Sequence, residues 1–379
     1  MTRRLPAALA ALIALAPVAS AGAQTRTVST VRSPATALNA AGATTLARQL
    51  KAAGRTAVQA GAELKKAGYK TADIGAGLKG AGYDAIQIAA SLKAIGLELA
   101  ATAAELRRMG YDMNTMAKAL VQSYGPLVVP LVLALKSAGG TANEIARSLD
   151  YAGLSLQQAA TGLRAAGYTA VATGQALIGA GHTVVAVGSA LKTAGYAVGD
   201  VGEALAAAGQ SAGAGAGVLK AAGYAVADVT VALKTAWNQT AAQATVALRT
   251  AGFSAHEAFG ALMTGFAISQ QVAFGHLIET FGVSDAFVAA KQANLAMNIA
   301  AKWAIERGKP AATVASALKA RYAASGQAAA AAIKGAGATL MVTAQAMKTA
   351  YAPTGQQLAA WLSPLTPVTA DLARCSSTS

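Results

Sequence analysis

Three histidines, one cysteine and a serine between glycines are the residues of this chain from which metal binding or catalysis could be built. His182, His256 and His276 form no pair at metal-ligand spacing and Cys375 stands alone, so a zinc or iron site has no local support. Gly209-Gln210-Ser211-Ala212-Gly213 spells a nucleophile elbow, but that device needs a strand before the serine, a helix after it, and Asp and His partners. Here an Ala-rich helical pattern precedes it. Gly213-Ala214-Gly215-Ala216-Gly217 likewise lacks the strand and the Lys-Ser/Thr ending of a phosphate loop. The sequence therefore predicts no catalytic, cofactor or metal-binding residue, and structural roles for all three histidines. Asn238-Gln239-Thr240 is a glycosylation sequon, relevant only in a glycosylating host.

The chemistry that does recur is cationic. Lys51, Lys65, Lys79, Lys93, Arg107, Lys136, Arg164, Lys192, Lys220, Lys234 and Arg249 each follow a leucine or similar residue at one fixed place in a repeated pattern. Two readings compete. Each cation caps carbonyls at its own helix end, complements the dipole there and keeps an Ala-rich surface soluble. Alternatively, repetition turns the column into a ridge that binds a polyanion by summed charge. Sequence-specific nucleic-acid recognition is unsupported, because stacking aromatics are not interleaved with the ridge in a recognisable module.

The elements that carry these residues follow from a fourteen-residue register. Leucine falls in one column at Leu50, Leu64, Leu78, Leu92, Leu106 and Leu120, slips by one residue, resumes from Leu135 to Leu233, slips again and returns at Leu248 and Leu262. Glycine forms a second column from Gly54 to Gly223, with Gly252 after it, and several units spell Leu-Lys-x-Ala-Gly-Tyr. Beyond Leu262 the pattern decays, but Leu318-Lys319, Ile333-Lys334 and Met347-Lys348 restore it. Such a register at a fixed period identifies a repeat architecture.

Each unit contains the start and stop of one helix. Asp84, Asp112, Ser155, Thr169, Thr183 and Ser254 stand where an N-cap belongs. Asp84 with Gln87, Ser155 with Gln158 and Ser254 with Glu257 have capping-box spacing. Glycine supplies the left-handed residue that ends the helix, and the following tyrosine supplies the apolar contact of that motif. Apolar positions such as Leu156, Ala159, Leu163 and Ala166 make one narrow stripe per helix. A helix this short is unstable alone and must bury its stripe on its neighbours. The expected fold is all-α: an Ala/Gly-rich α-solenoid or layered helical array of one-helix repeats.

Composition agrees. With 54% hydrophobic residues, 12% charged residues and 39 glycines without a three-residue period, the 379-residue chain fits neither ordinary disorder nor collagen. Arg3 and Arg4, the apolar run Leu5 to Ala16 and Ala19-Ser20-Ala21 read as an export signal, and losing two arginines with it lowers the net charge from +15 to +13. Cys375 is expected as a free thiol in a tail, with an intermolecular disulfide as its alternative. The reading divides the chain into a signal peptide over 1–23, a linker over 24–45, regular repeats over 46–252, a variant region with longer helices over 253–307, degenerate repeats over 308–362 and a tail over 363–379. Phe259, Phe266, Phe274, Phe281 and Phe287 fall in the variant region and are read as core.

Pro126 and Pro130 should break or kink a helix at the first slip, and Trp237-Asn238-Gln239 surrounds the second. The uncharged stretch Ala165 to Leu191 could span a bilayer, but Gly167, Thr169, Gly181 and Thr183 divide it into two short helices. The expected function is an exported, non-catalytic scaffold that binds a cell-envelope polyanion, an anionic membrane surface or a protein partner through its basic face. A membrane-inserted or pore-forming assembly is the alternative.

Overall fold

A glycine every fourteen residues stops the chain and reverses it, and this sets the architecture. The computed structural model describes residues 38–365; the signal peptide, most of the linker, Cys375 and residues 366–379 lie outside the described residues. The described residues form twenty-three α-helices, most of ten residues, and no strand. Glycines of the predicted column, from Gly54 to Gly252, have φ between +76° and +107°. In a representative turn Gly68 N donates to Lys65 O at 3.0 Å and Tyr69 N to Leu64 O at 3.2 Å, the double bond of a glycine-terminated helix. The predicted capping boxes at Asp84, Ser155 and Ser254 all close, and Asp112, Thr169 and Thr183 cap as expected.

Helices alternate between two rows, each packing chiefly on the helix two positions along the chain. The first row begins with Ala40–Ala52, Thr71–Gly80, Leu99–Arg108 and Val128–Ser137, and the second with Ala57–Lys66, Ala85–Ala94, Met113–Tyr124 and Ala142–Tyr151. The leucine column fills the space between rows: Leu64, Leu78, Leu92, Leu106, Leu120, Leu135, Leu149 and Leu163 are all 0% exposed. Each contributes about 2 kcal/mol of burial. Small residues bring the helices together. A Cβ on Gly77 would stand 2.8 Å from the Ala43 carbonyl carbon of the preceding first-row helix, so no larger residue fits there.

The irregularities have local causes. Helix Met113–Tyr124 ends at Gly125, Pro126 lies in the connection, and Pro130 falls in the first turn of Val128–Ser137, where its missing N–H leaves no intrahelical bond unmade. At the second slip Asn238 takes the left-handed place at φ +50°, and Gln239 N reaches Leu233 O. In the degenerate units Ala267, Asn294, Ala323 and Ala352 take that place instead of glycine. Leu318–Tyr322 is a five-residue π-helical segment.

Two expectations change. The first helix begins at Ala40, inside the segment read as linker, because Asn39 Oδ1 caps Gly42 N at 2.9 Å. Only Ala255–Phe266 and Gln270–Phe281 of the variant region are longer, at 12 residues; Val283–Gln292 and Met297–Glu306 return to 10. The segment Gly213 to Gly217 is part of helix Ala212–Ala221, and its glycines serve packing: a Cβ on Gly215 would stand 2.3 Å from the Trp237 indole. The stretch Ala165 to Leu191 is divided between Leu156–Ala165, Ala170–Gly179 and Val184–Thr193, and no described helix is long and apolar enough to cross a membrane.

Candidate functional site

The cation column splits between the rows. Lys51, Lys79, Arg107, Lys136, Arg164, Lys192, Lys220 and Arg249 stand on successive first-row helices, whereas Lys65, Lys93 and Lys234 stand on the second. In the second row the place between Lys93 and Lys234 is held by Val121, Asp150, Ile178 and Ala206. The column that reads as one ridge in sequence is an unbroken ladder in one row and a broken one in the other.

These cations do not cap their own helices. All but Arg107 reach the C-terminal turn of the next helix in their row, some 30 residues on. Lys51 Nζ donates to Gly82 O at 2.6 Å, Lys136 to Ala166 O at 2.6 Å, Lys192 to Gly223 O at 2.6 Å and Lys220 to Gly252 O at 2.6 Å. Arg164 Nη1 donates to Ala194 O at 2.9 Å, Lys79 Nζ to Met109 O and Arg249 Nη1 to Thr280 O. Lys65, Lys93 and Lys234 make the same reach to Ile95 O, Ser123 O and Gly265 O. A helix C-terminus leaves four carbonyls without intrahelical partners and carries partial negative charge, so a cation from the neighbouring helix satisfies it as well as one of its own.

At most of these turns an aromatic ring beside the terminating residue completes a clamp. Lys51 lies 4.8 Å from the centroid of the Tyr83 ring, and the Tyr83 hydroxyl donates back to Arg55 O at 2.7 Å. Arg164 lies over Tyr196, whose hydroxyl donates to Tyr168 O at 2.8 Å and meets Thr173 Oγ1 at 2.8 Å. Lys79, Lys136 and Lys192 lie over Tyr111, Tyr168 and Tyr224, and Lys220 and Arg249 over Phe253 and Phe281. Burial raises the phenols of Tyr83, Tyr168, Tyr196 and Tyr224 above their ordinary range, so the rings stay neutral beside the cations. Such cation–ring contacts are worth about 0.5–1 kcal/mol at exposed sites. Two of the predicted residues lack a ring among the described residues: Lys65 keeps its carbonyl bond but Leu97 follows the glycine there, and at Arg107 Gly140 stands where the ring would be.

The clamp explains other residues as well. Asp150 occupies a cation place and His182 the ring place 32 residues on, and His182 Nε2 meets Asp150 Oδ2 at 2.9 Å, the same link with the charged partner exchanged. Trp237 follows a second-row helix opposite Ala206, and its indole N–H donates to Gln210 O at 2.8 Å. Phe259, Phe274 and Phe287 are core, with Phe274 and Phe287 rings 5.7 Å apart, while Phe266 and Phe281 sit in ring places under Lys234 and Arg249. Ser211 is an N-cap, its hydroxyl accepting from Ala214 N. His256 is exposed in a first helical turn, and His276 is half-buried.

Sequence reasoning missed the reach from one unit to the next but one, and with it the separation of the rows. The signal was present: written at twenty-eight residues instead of fourteen, the same letters fall into one unbroken and one interrupted column. Most first-row cations remain exposed, with Lys192 and Lys220 half-buried. With neighbouring helices 8–10 Å apart, they stand roughly 10 Å from one another, about one Debye length at physiological salt. Compared with known protein families and with curated proteins, the chain matches none.

Proposed function

We propose that this chain is an exported, non-catalytic repeat scaffold whose first-row edge binds a linear polyanion of the cell envelope. The observation that supports this reading is the ladder from Lys51 to Arg249, eight cations on successive first-row helices, seven of them held by bonds to backbone carbonyls. An ammonium has three donors and the clamp uses one or two, so charge and hydrogen-bonding capacity remain for an anion. Preorganised cations lose little side-chain entropy on binding, and charges about one Debye length apart sum their fields along a chain of phosphates or carboxylates.

The test is co-sedimentation and column retention across a salt series, using polyphosphate, anionic vesicles and neutral vesicles. The expected outcome is salt-reversible binding to polyphosphate and anionic vesicles, with log affinity falling linearly in log salt. Because Arg107 stands in the ladder without a clamp, Arg107→Gln should lower the salt slope by about one while leaving the melting temperature unchanged. Absence of binding by the folded chain at low salt would overturn the reading and redirect the search to protein partners. Salt-resistant binding to both kinds of vesicle would instead favour membrane insertion.

A further inference from the structure

The two rows differ in their acids as well as in their cations. From Val128 to Thr250 the first row consists of five helices, Val128–Ser137, Leu156–Ala165, Val184–Thr193, Ala212–Ala221 and Ala241–Thr250. Their only charged residues are Lys136, Arg164, Lys192, Lys220 and Arg249, and the connecting turns contain no acid. The four second-row helices of the same span carry five acids, Glu144, Asp150, Asp200, Glu203 and Asp228, against Arg147 and Lys234. This part of the array is therefore cationic on one side and acidic on the other.

The exposed apolar side chains of this first-row span lie in the stripe of its cations. Leu133 stands three residues before Lys136, Val246 three before Arg249 and Val185 seven before Lys192. Those steps are about one and two helical turns, so each shares an outward stripe with the cation of its helix. The three side chains are 44%, 55% and 49% exposed. In the two remaining helices uncharged Thr161 and Gly217 hold the place three before the cation. Consecutive first-row helices pack on one another, and each of these cations reaches the C-terminal turn of the next, so the helices run parallel and their stripes lie side by side. The product is one acid-free face, small and apolar across its width, with cations along one edge.

We propose that this face seats on the surface of an anionic lipid bilayer, with Leu133, Val185 and Val246 entering the headgroup boundary and the five cations meeting lipid phosphates along the edge. The inference rests on the ladder reading for its cations and adds an apolar contact that a linear polymer would leave unused. Binding at a bilayer surface sums buried apolar area and attraction to anionic headgroups, and this face supplies both without a repelling carboxylate. The seating is shallow, since no described helix is long and apolar enough to cross a membrane. A second copy laid face to face is a poorer occupant, because the face offers no carboxylate to its own cations.

The experiment places an environment-sensitive fluorophore (NBD) on Val246→Cys, and separately on Val231→Cys, in the full mature chain carrying Cys375→Ser. Val231 is 42% exposed and stands three residues before Lys234 in the second row, so it is the matched control. Mixed phosphatidylglycerol–phosphatidylcholine vesicles should brighten and blue-shift the Val246→Cys probe and leave the Val231→Cys probe silent, and phosphatidylcholine vesicles should move neither. The combined variant Leu133→Ser, Val185→Ser, Val246→Ser should weaken vesicle affinity about tenfold and keep wild-type retention on polyphosphate. Melting curves verify that each variant folds. Equal responses at the two positions, a silent Val246→Cys probe on vesicle-bound chain, or wild-type vesicle affinity in the folded triple variant would overturn the inference. Brightening of the Val246→Cys probe with protein concentration in lipid-free buffer would assign the face to a second copy and overturn it as well. Retention on polyphosphate without vesicle binding overturns this inference alone, whereas vesicle binding with a responding Val246→Cys probe and no retention overturns the linear-polymer reading and supports the face.

Discussion

The two rows are built from the same unit and differ in how faithfully they keep one residue. In the first row every helix from Ala40–Ala52 to Ala241–Thr250 carries a cation that grips the next turn, save where Gly140 removes the ring opposite Arg107. In the second row the clamp gives way to Asp150 with His182, to Ile178, and to Trp237 opposite Ala206. Both rows keep the buried leucines and the left-handed turns. The leucine and glycine columns therefore suffice to fold the array, and the unbroken cation column is something added to one side. That asymmetry is what a binding edge requires and what uniform helix capping does not explain.

The comparison breaks most severely where the second row has substituted a bulky ring for the clamp. Gly215→Leu would displace the Trp237 indole and the bond from its N–H to Gln210 O, and should cost about 3 kcal/mol or more, read as a lowered urea midpoint. Lys136→Met removes a carbonyl bond and a ring contact and should cost about 1–2 kcal/mol, against under about 0.5 kcal/mol for Arg107→Met in the same assay. Equal losses would show that the clamp does not distinguish these positions. Asp150→Lys with His182→Tyr installs the first-row clamp in the second row; the double mutant should be more stable than the sum of the singles by about 0.5–1 kcal/mol. Additive effects would mean that the link is not transferable.

The smallest effect concerns acid. Asp112, Glu144 and Glu257 are held below the usual carboxylate range first by backbone N–H donors at Thr115, Thr141 and Ser254. Their depressed native values give stability that is present above the unfolded carboxylate range near pH 4 and lost as pH falls through the native values. Urea midpoints should therefore hold steady from pH 7 to about 5 and decline below about 4. Thr141→Ala should flatten part of that decline.

Most of the fold was legible because its signals are local. Cap, stripe and stop lie within fourteen residues, and residues such as Asp84, Gly68 and Leu64 do what their neighbours in sequence require. The clamp was not legible from one unit because its partners lie about thirty residues apart, and nothing at Lys51 indicates that its acceptors are Ala81 and Gly82. The His182 position in the tyrosine column was visible in the sequence, but its partner was not. The notch at Gly275 was hidden more deeply: it gains meaning only when Arg307 of a later unit is laid against it.

Because helices alternate between rows, the array counts in twos. Loss or gain of a single fourteen-residue unit would transfer every later helix to the opposite row, set cations over places suited to Asp150 or Ala206, and divide the ladder. A change of two units leaves every clamp downstream intact. The heritable module of this chain is thus a pair of helices, and its lengthening or shortening is neutral to the cationic edge only in steps of twenty-eight residues.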